Sequence, residues 1–123
     1  MTKTILIKTV LGYKIADFTI NFKECNIKHK GALIAGLSFS QTADFCVHFC
    51  NAFVERDYRN KGLLTLMNIE AIKLFEQDGK PITIIAKISH FNCNKEYVKK
   101  TLLELGFNVL DNKQHVFIKE ICE

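Results

Sequence analysis

The chain has no tryptophan, one proline and only two arginines among its 17 basic residues. It also lacks any run of about 18 apolar residues, which excludes a membrane-spanning helix. Repeats, low-complexity tracts and Gly/Pro/Ser-rich linkers are absent. Residues 1–123 therefore read as one domain, large enough for a core without disulfides or metals. Ten phenylalanines supply the bulk that tryptophan does not, within an ordinary apolar fraction of 48%. The five cysteines (25, 46, 50, 93, 122) are odd in number and scattered through strand-like text. That pattern speaks against a disulfide framework and for buried thiols in a reducing compartment, so a cytoplasmic protein is expected. The opening MTKTILIKTV alternates like a strand and has no small-residue cleavage site, so no signal peptide is expected. The net charge of +4 is dispersed, apart from Lys99-Lys100 and the Lys28/Lys30 pair. Nucleic-acid binding predicts a denser stripe with interleaved aromatics, so the charge supports only a mild attraction for acidic ligands.

What is present falls into two textures. The first half reads as strands over Thr4–Val10, Tyr13–Phe22, Ala32–Ser40 and Phe45–Val54, with turns at 29–31 and 41–44. Then Asn60 is placed to cap a helix from about Lys61 to Gln77, with Leu63, Leu66, Met67, Ala71, Leu74 and Phe75 at helical spacing. Gly79 and the sole proline, Pro81, stop it. Ile82–Ile88 is a short isoleucine-rich run and reads as a buried central strand. Asn94 can cap a second helix bearing Tyr97, Val98, Thr101, Leu102 and Leu105 on one face, ended by Gly106. Phe107–Leu110 and His115–Ile121 read as a hairpin turning at 111–114. The expected class is α/β with a mixed α+β sheet of about seven strands and two main helices.

Both arginines fall in VERDYRNKGLLTLM, residues 54–67, where strand text gives way to helix text. N–H groups at a helix start are unpaired and carry the positive end of the helix dipole, so a phosphate or pyrophosphate fits there. Gly62 permits close backbone approach, and Arg59 and Lys61 supply charge from either side. Spacing alone leaves this reading level with a solvated, charged connection ahead of an amphipathic helix. The segment 31–36 imitates the spacing of a phosphate loop. Leu37-Ser38 follow it in place of Lys-Ser/Thr, so it reads as a turn feeding a strand.

Arg59-Asn60-Lys61-Gly62-Leu63-Leu64, preceded by Val54 and Tyr58, resembles the acetyl-CoA motif of the GNAT family of N-acetyltransferases. Asn92 or Asn94, the helix end at 102–105 and Gly106-Phe107 resemble the family's second signature, an asparagine followed by a helix ending in Gly-Phe. Lys30-Gly31 and the residues to Gly36 are similar to its turn between the second and third strands. Three such motifs in order, over roughly residues 20–121, are hard to obtain by chance. Two positions depart from the pattern. Leu64 stands where glycine or alanine is usual, and Leu102 stands where members using a tyrosine acid place it.

The resemblance implies a GNAT-like fold and transfer of an acetyl group from acetyl-CoA to an amine. Arg59 to Leu64 would hold the pyrophosphate, and Asn92 or Asn94 would touch the pantetheine arm. Ala52 and Val54 would bond pantetheine and polarise the thioester carbonyl with backbone N–H groups. His48 falls where histone-acetylating relatives carry a catalytic glutamate, and histidine suits proton removal from an ammonium nucleophile. A hydrogen-bonded histidine without chemical role is an equal reading of His48. Tyr97 or water would supply the leaving thiolate's proton, although Tyr97 on an amphipathic face also fits the core or its rim.

No metal is expected. Cys46, His48 and Cys50 would spread over about 13 Å of strand, too far to converge on one ion. The family's usual two helices between its first and second strands have no room between Val10 and Tyr13. The acceptor side would then be open, suiting a protein or peptide amine, or a partner subunit such as a second copy of this chain. The rival reading is a GNAT-fold interaction module that has lost catalysis.

Overall fold

The computed structural model describes residues 1–92, 94–111 and 115–121. Five strands come first: β1 (Thr2–Thr9), β2 (Gly12–Ile20), β3 (Glu24–His29), β4 (Ala32–Ala43) and β5 (Cys46–Val54). They form an antiparallel meander. There follow α1 (Leu63–Gln77), β6 (Ile82–Lys87), β7 (Phe91–Asn92), α2 (Lys95–Glu104), β8 (Asn108–Asp111) and β9 (Val116–Ile121). The strand order is β1-β2-β3-β4-β5-β6-β9-β8, with the short β7 paired to β5. No described helix is long and apolar enough to cross a membrane.

The tight connection expected after Val10 is a two-residue turn, Val10-Leu11, closed by the pair Thr9–Gly12. No helix stands there. Since the Lys-Gly turn joins β3 to β4, the family's first and second strands correspond to β2 and β3, which Asn21-Phe22-Lys23 join without a helix. Lys30 and Gly31, both at positive φ (50° and 80°), turn β3 into β4 as the expected Lys-Gly turn, in the geometry that matches strand twist.

Several expectations need correction. Nine strands are described rather than about seven. The main omission was β3, where Cys25 and Ile27 are buried between polar neighbours that read as a connection. The 41–44 turn is shorter, because β4 runs on to Ala43 and only Asp44-Phe45 lie between the strands. α1 begins at Leu63 with Gly62 as its N-cap, not at Lys61 behind Asn60. Asn60 and Gly62 both take positive φ (62° and 77°), which keeps the backbone out of the right-handed helix until Leu63. Asn94 caps α2 as expected, its Oδ1 accepting from Tyr97 N at 3.1 Å. Asn112, Lys113 and Gln114 of the expected final turn lie outside the described residues, as do Cys93 and Cys122.

Both helices pack on one face of the sheet. Two parallel crossovers in the same direction, β5–α1–β6 and β6–α2–β8, require this when both are right-handed. An aromatic spine marks that face. Phe75 of α1 meets Phe39 with ring centroids 5.6 Å apart, Phe39 meets Phe49 at 5.3 Å, and Phe49 meets Phe107 beyond α2 at 6.2 Å. Val47, Phe49, Ile84, Ala86 and Phe117 are buried on it, whereas the residues between them are only half-buried. No described helix covers that second face. It carries Ser40, His48 and Ile85 side by side in the ladder, with Ile118 next.

Candidate functional site

The site lies where β5 hands over to α1. After one 3₁₀ turn (Arg56–Tyr58) the chain passes through Asn60 and Gly62 and enters the helix. Gly62 O accepts the first helical bond from Leu66 N at 2.9 Å. The N–H groups before Leu66 belong to the open first turn, which has no side-chain cap and no acidic residue. The positive end of α1 is thus unneutralised from within its own first turn. The space where a Cβ on Gly62 would stand has no atom within 4 Å, so the backbone here is approachable.

Arg59 donates Nε–H to Val54 O at 3.0 Å, clasping the loop to the strand end. That contact uses one of the guanidinium's five N–H donors. On the facing wall, Tyr97 Oη lies 3.4 Å from Thr65 Oγ1, tying α2 to the first turn of α1. Between the walls is a cleft of about 360 Å³, lined by Val54, Tyr58, Arg59, Asn60, Gly62, Leu63 and Leu64 on one side and Asn94 and Tyr97 on the other. Lys61 faces an adjoining depression that it shares with Asn60 and, from the β1–β2 hairpin, Lys8, Thr9 and Val10.

The structure therefore brings together Val54, Arg59, Asn60, Gly62, Leu63, Leu64, Asn94 and Tyr97, with Lys61 alongside. Leu64 is 2% exposed and belongs to the core, so its bulk does not stand in front of the helix end. Leu102 is wholly buried. Three expected residues lie outside the cleft lining. Asn92 is exposed on β7, opposite Phe53, so Asn94 is the asparagine at the cleft. Ala52 is buried, with ladder partners on both sides, Leu37 and Phe91. His48 is half-buried on the helix-free face.

One residue escaped the sequence reading. Leu37 pairs with Ala52 and Ser38 with Cys50, so Asn51 is the extra residue of a β-bulge. The β5–β6 ladder stops at Phe49–Ala86, and β7 takes up β5 again only at Ala52–Phe91. Among the described residues, Asn51 has no ladder partner on either side. The sheet is interrupted there, one residue beyond Cys50 and three beyond His48. The signal was present as a slip of phase. Val47 and Phe49 are buried at odd positions, then Ala52 and Val54 at even ones.

The buried thiol of Cys25, on β3, serves packing. Burial, the largest effect, together with Glu70 and Glu24 pushes the Cys25 thiol up to about 12, so it stays protonated and unreactive at neutral pH.

No protein-family model matches the sequence, and no curated protein matches it. Solved structures do match the fold. A GNAT family N-acetyltransferase, YhbS of Escherichia coli in complex with CoA, aligns with TM-score 0.61 and 14% identity over 80% of this chain and 58% of its own. The PaiA N-acetyltransferase of Thermoplasma acidophilum, in complex with coenzyme A, gives 0.61 and 16% over 81% and 60%. The ribosomal-protein-S18-alanine N-acetyltransferase of Escherichia coli gives 0.61 and 15% over 86% and 70%. The chain spans 58% and 60% of the first two proteins' length. At such identities the likeness speaks of architecture, and on that ground this chain has the fold of the GNAT N-acetyltransferases.

Proposed function

We propose that the chain is an N-acetyltransferase that takes its acetyl group from acetyl-CoA, with the cleft at the start of α1 as the donor site. One observation carries this reading: an uncapped helix start, open above Gly62 and flanked by Arg59, lies at the floor of a cleft. Those donors fit a pyrophosphate. The CoA captured with YhbS and with PaiA supports the same choice of ligand. Asn94 and Tyr97 on the facing wall would hold the pantetheine arm.

The chemistry belongs at the break in the sheet. His48 would take the proton that an ammonium acceptor must lose before its nitrogen can attack. Asn51, unpaired in the ladder, is the better donor of a backbone N–H to the thioester oxygen than Ala52, which is paired on both sides. Tyr97 or water would return a proton to the leaving thiolate as the carbon–sulfur bond breaks. The helix-free face gives the acceptor amine, of a protein or peptide, an approach from the side opposite α1.

Two features favour a second reading, an interaction module without catalysis: β7 closes on β5 at Ala52–Phe53, and Leu102 holds the usual place of the tyrosine acid. Calorimetric titration with acetyl-CoA comes first, and absence of heat from folded protein would refute the donor site. Given binding, His48→Ala is expected to slow acetyl transfer at least tenfold with Kd unchanged. A parallel loss of affinity would make His48 structural, and binding without any transfer would favour the module.

A further inference from the structure

Among the described residues, β1 is a free edge of the sheet, eight residues long. Proteins usually blunt such an edge with proline, a bulge or outward charge. β1 contains no proline, and its register with β2 runs from Thr2–Thr19 to Thr9–Gly12 without a shift. Of its two lysines, Lys3 is folded onto the helix side, 2.9 Å from Glu70 and over the Phe18 ring at 5.4 Å. Only Lys8 is left to guard the edge.

Met1 and Ile20 exchange both backbone bonds, at 3.0 and 3.1 Å. By the alternation of an antiparallel ladder, the odd residues of β1 bond inward to β2, and Thr2, Thr4, Leu6 and Lys8 present their N–H and C=O groups outward. On the helix-free face, Leu6 (66% exposed) lies opposite Ile15 (63% exposed). An unpaired backbone row thus coincides with an exposed apolar pair.

We propose that this edge pairs antiparallel with the β1 edge of a second copy, about a twofold axis at Leu6, giving one sheet continuous across a dimer. The side chains select that register. Centred on Leu6, Leu6 meets Leu6, Ile5 meets Ile7, and each lysine faces a threonine: Lys8 faces Thr4, and Lys3 faces Thr9. Centring on Ile5 sets Leu6 against Thr4 and Ile7 against Lys3. Centring on Ile7 sets Leu6 against Lys8 and Ile5 against Thr9. Only the Leu6 centre matches apolar with apolar throughout and joins Ile15, Leu6, Leu6 and Ile15 into one stripe. A twofold interface is self-complementary by construction, as this strand is. The inference rests on the edge strand and is independent of the acetyl-transfer reading.

Sedimentation velocity from low to high micromolar concentration is expected to show a species of twice the chain mass. Leu6→Pro removes only an outward N–H, leaves the β1–β2 ladder intact, and is expected to give monomer with an unchanged far-UV circular dichroism spectrum. Should proline loosen the hairpin, Leu6→Lys sets like charges face to face and is expected to give the same monomer. Leu6→Cys places two thiols about 5.5 Å apart between Cα atoms, so oxidation is expected to yield a covalent dimer absent from the parent protein. A parent protein that stays monomeric at high micromolar concentration overturns the proposal. So does a dimer that survives Leu6→Lys, or one in which Leu6→Cys fails to cross-link.

Discussion

Gly62 holds φ 77° at the entrance to α1, a conformation that strains any L side chain, although a Cβ there would touch nothing. Its value lies in backbone conformation and in the access it leaves. Gly62→Ala is expected to lower stability by about 1 kcal/mol. It should weaken acetyl-CoA binding at least tenfold, because the methyl would stand before the open N–H groups. Thermal unfolding and calorimetry read the two effects separately, and unchanged affinity would move the pyrophosphate elsewhere. Leu64 teaches a related lesson. The apolar stripe expected from helical spacing runs through Leu63, Leu66, Met67 and Leu74 and leaves out Leu64, whereas the buried face of α1 carries Leu63, Leu64, Met67, Ala71 and Phe75. With α1 starting at Leu63, Leu64 points into the core. Cys25 allows a pH test. Its folded value is raised from 9.0 to about 12, so its contribution is fully present below pH 9 and is lost as pH rises toward 12. The loss amounts to at most roughly 4 kcal/mol. Cys25→Ala is expected to be less stable at pH 7 and to show a flatter decline than the parent protein above pH 9, measured by urea unfolding. Parallel curves would show that the thiol is not what titrates.

Among the elements, the helices were the most legible, because caps and stops bracket them: Asn94 and Gly106 around α2, Gly79 and Pro81 after α1. Strands without strong apolar alternation were not. β3 carries two buried residues, Cys25 and Ile27, among Glu24, Asn26, Lys28 and His29, and its pairing with β2 and β4 decides it more than its own composition does. The bulge at Asn51 was invisible as a residue type and visible only as a phase slip. Asn94 holds two roles that one substitution can separate. Asn94→Asp keeps the oxygen that accepts from Tyr97 N and adds a carboxylate at the start of α2. It is expected to leave thermal stability unchanged or slightly raised, and to weaken acetyl-CoA binding by setting a negative charge in the proposed donor cleft. Asn94→Ala is expected to cost about 1 kcal/mol through the lost cap. If Asp binds acetyl-CoA as well as Asn does, the side chain at 94 is a cap alone.

The molecule as a whole is two-sided: helices, aromatic spine and cleft on one face, and a sheet surface with no described helix on the other. The ladder break at Asn51 lies between them in the chain, with His48 on the second face three residues away. A small amine needs a concave site that buries most of its surface, whereas a peptide can lie along a sheet and draw binding from many contacts. A dimer at the β1 edge would not cover the helix-free face beside His48. β1 is four strands from β5, or about 19 Å at the usual strand spacing, and pairing would extend the sheet away from that region. The helix-free face therefore stays open in monomer and dimer alike, and on the acetyl-transfer reading proposed above the acceptor is expected to be an amine carried on a chain. With a mixed library of unblocked peptides set against a panel of free amino acids and polyamines at equal amine concentration, acetyl transfer measured by released thiol should favour the peptides at least tenfold. Equal rates would mean that the helix-free face does not choose the acceptor, and that the amine reaches Asn51 from the cleft side.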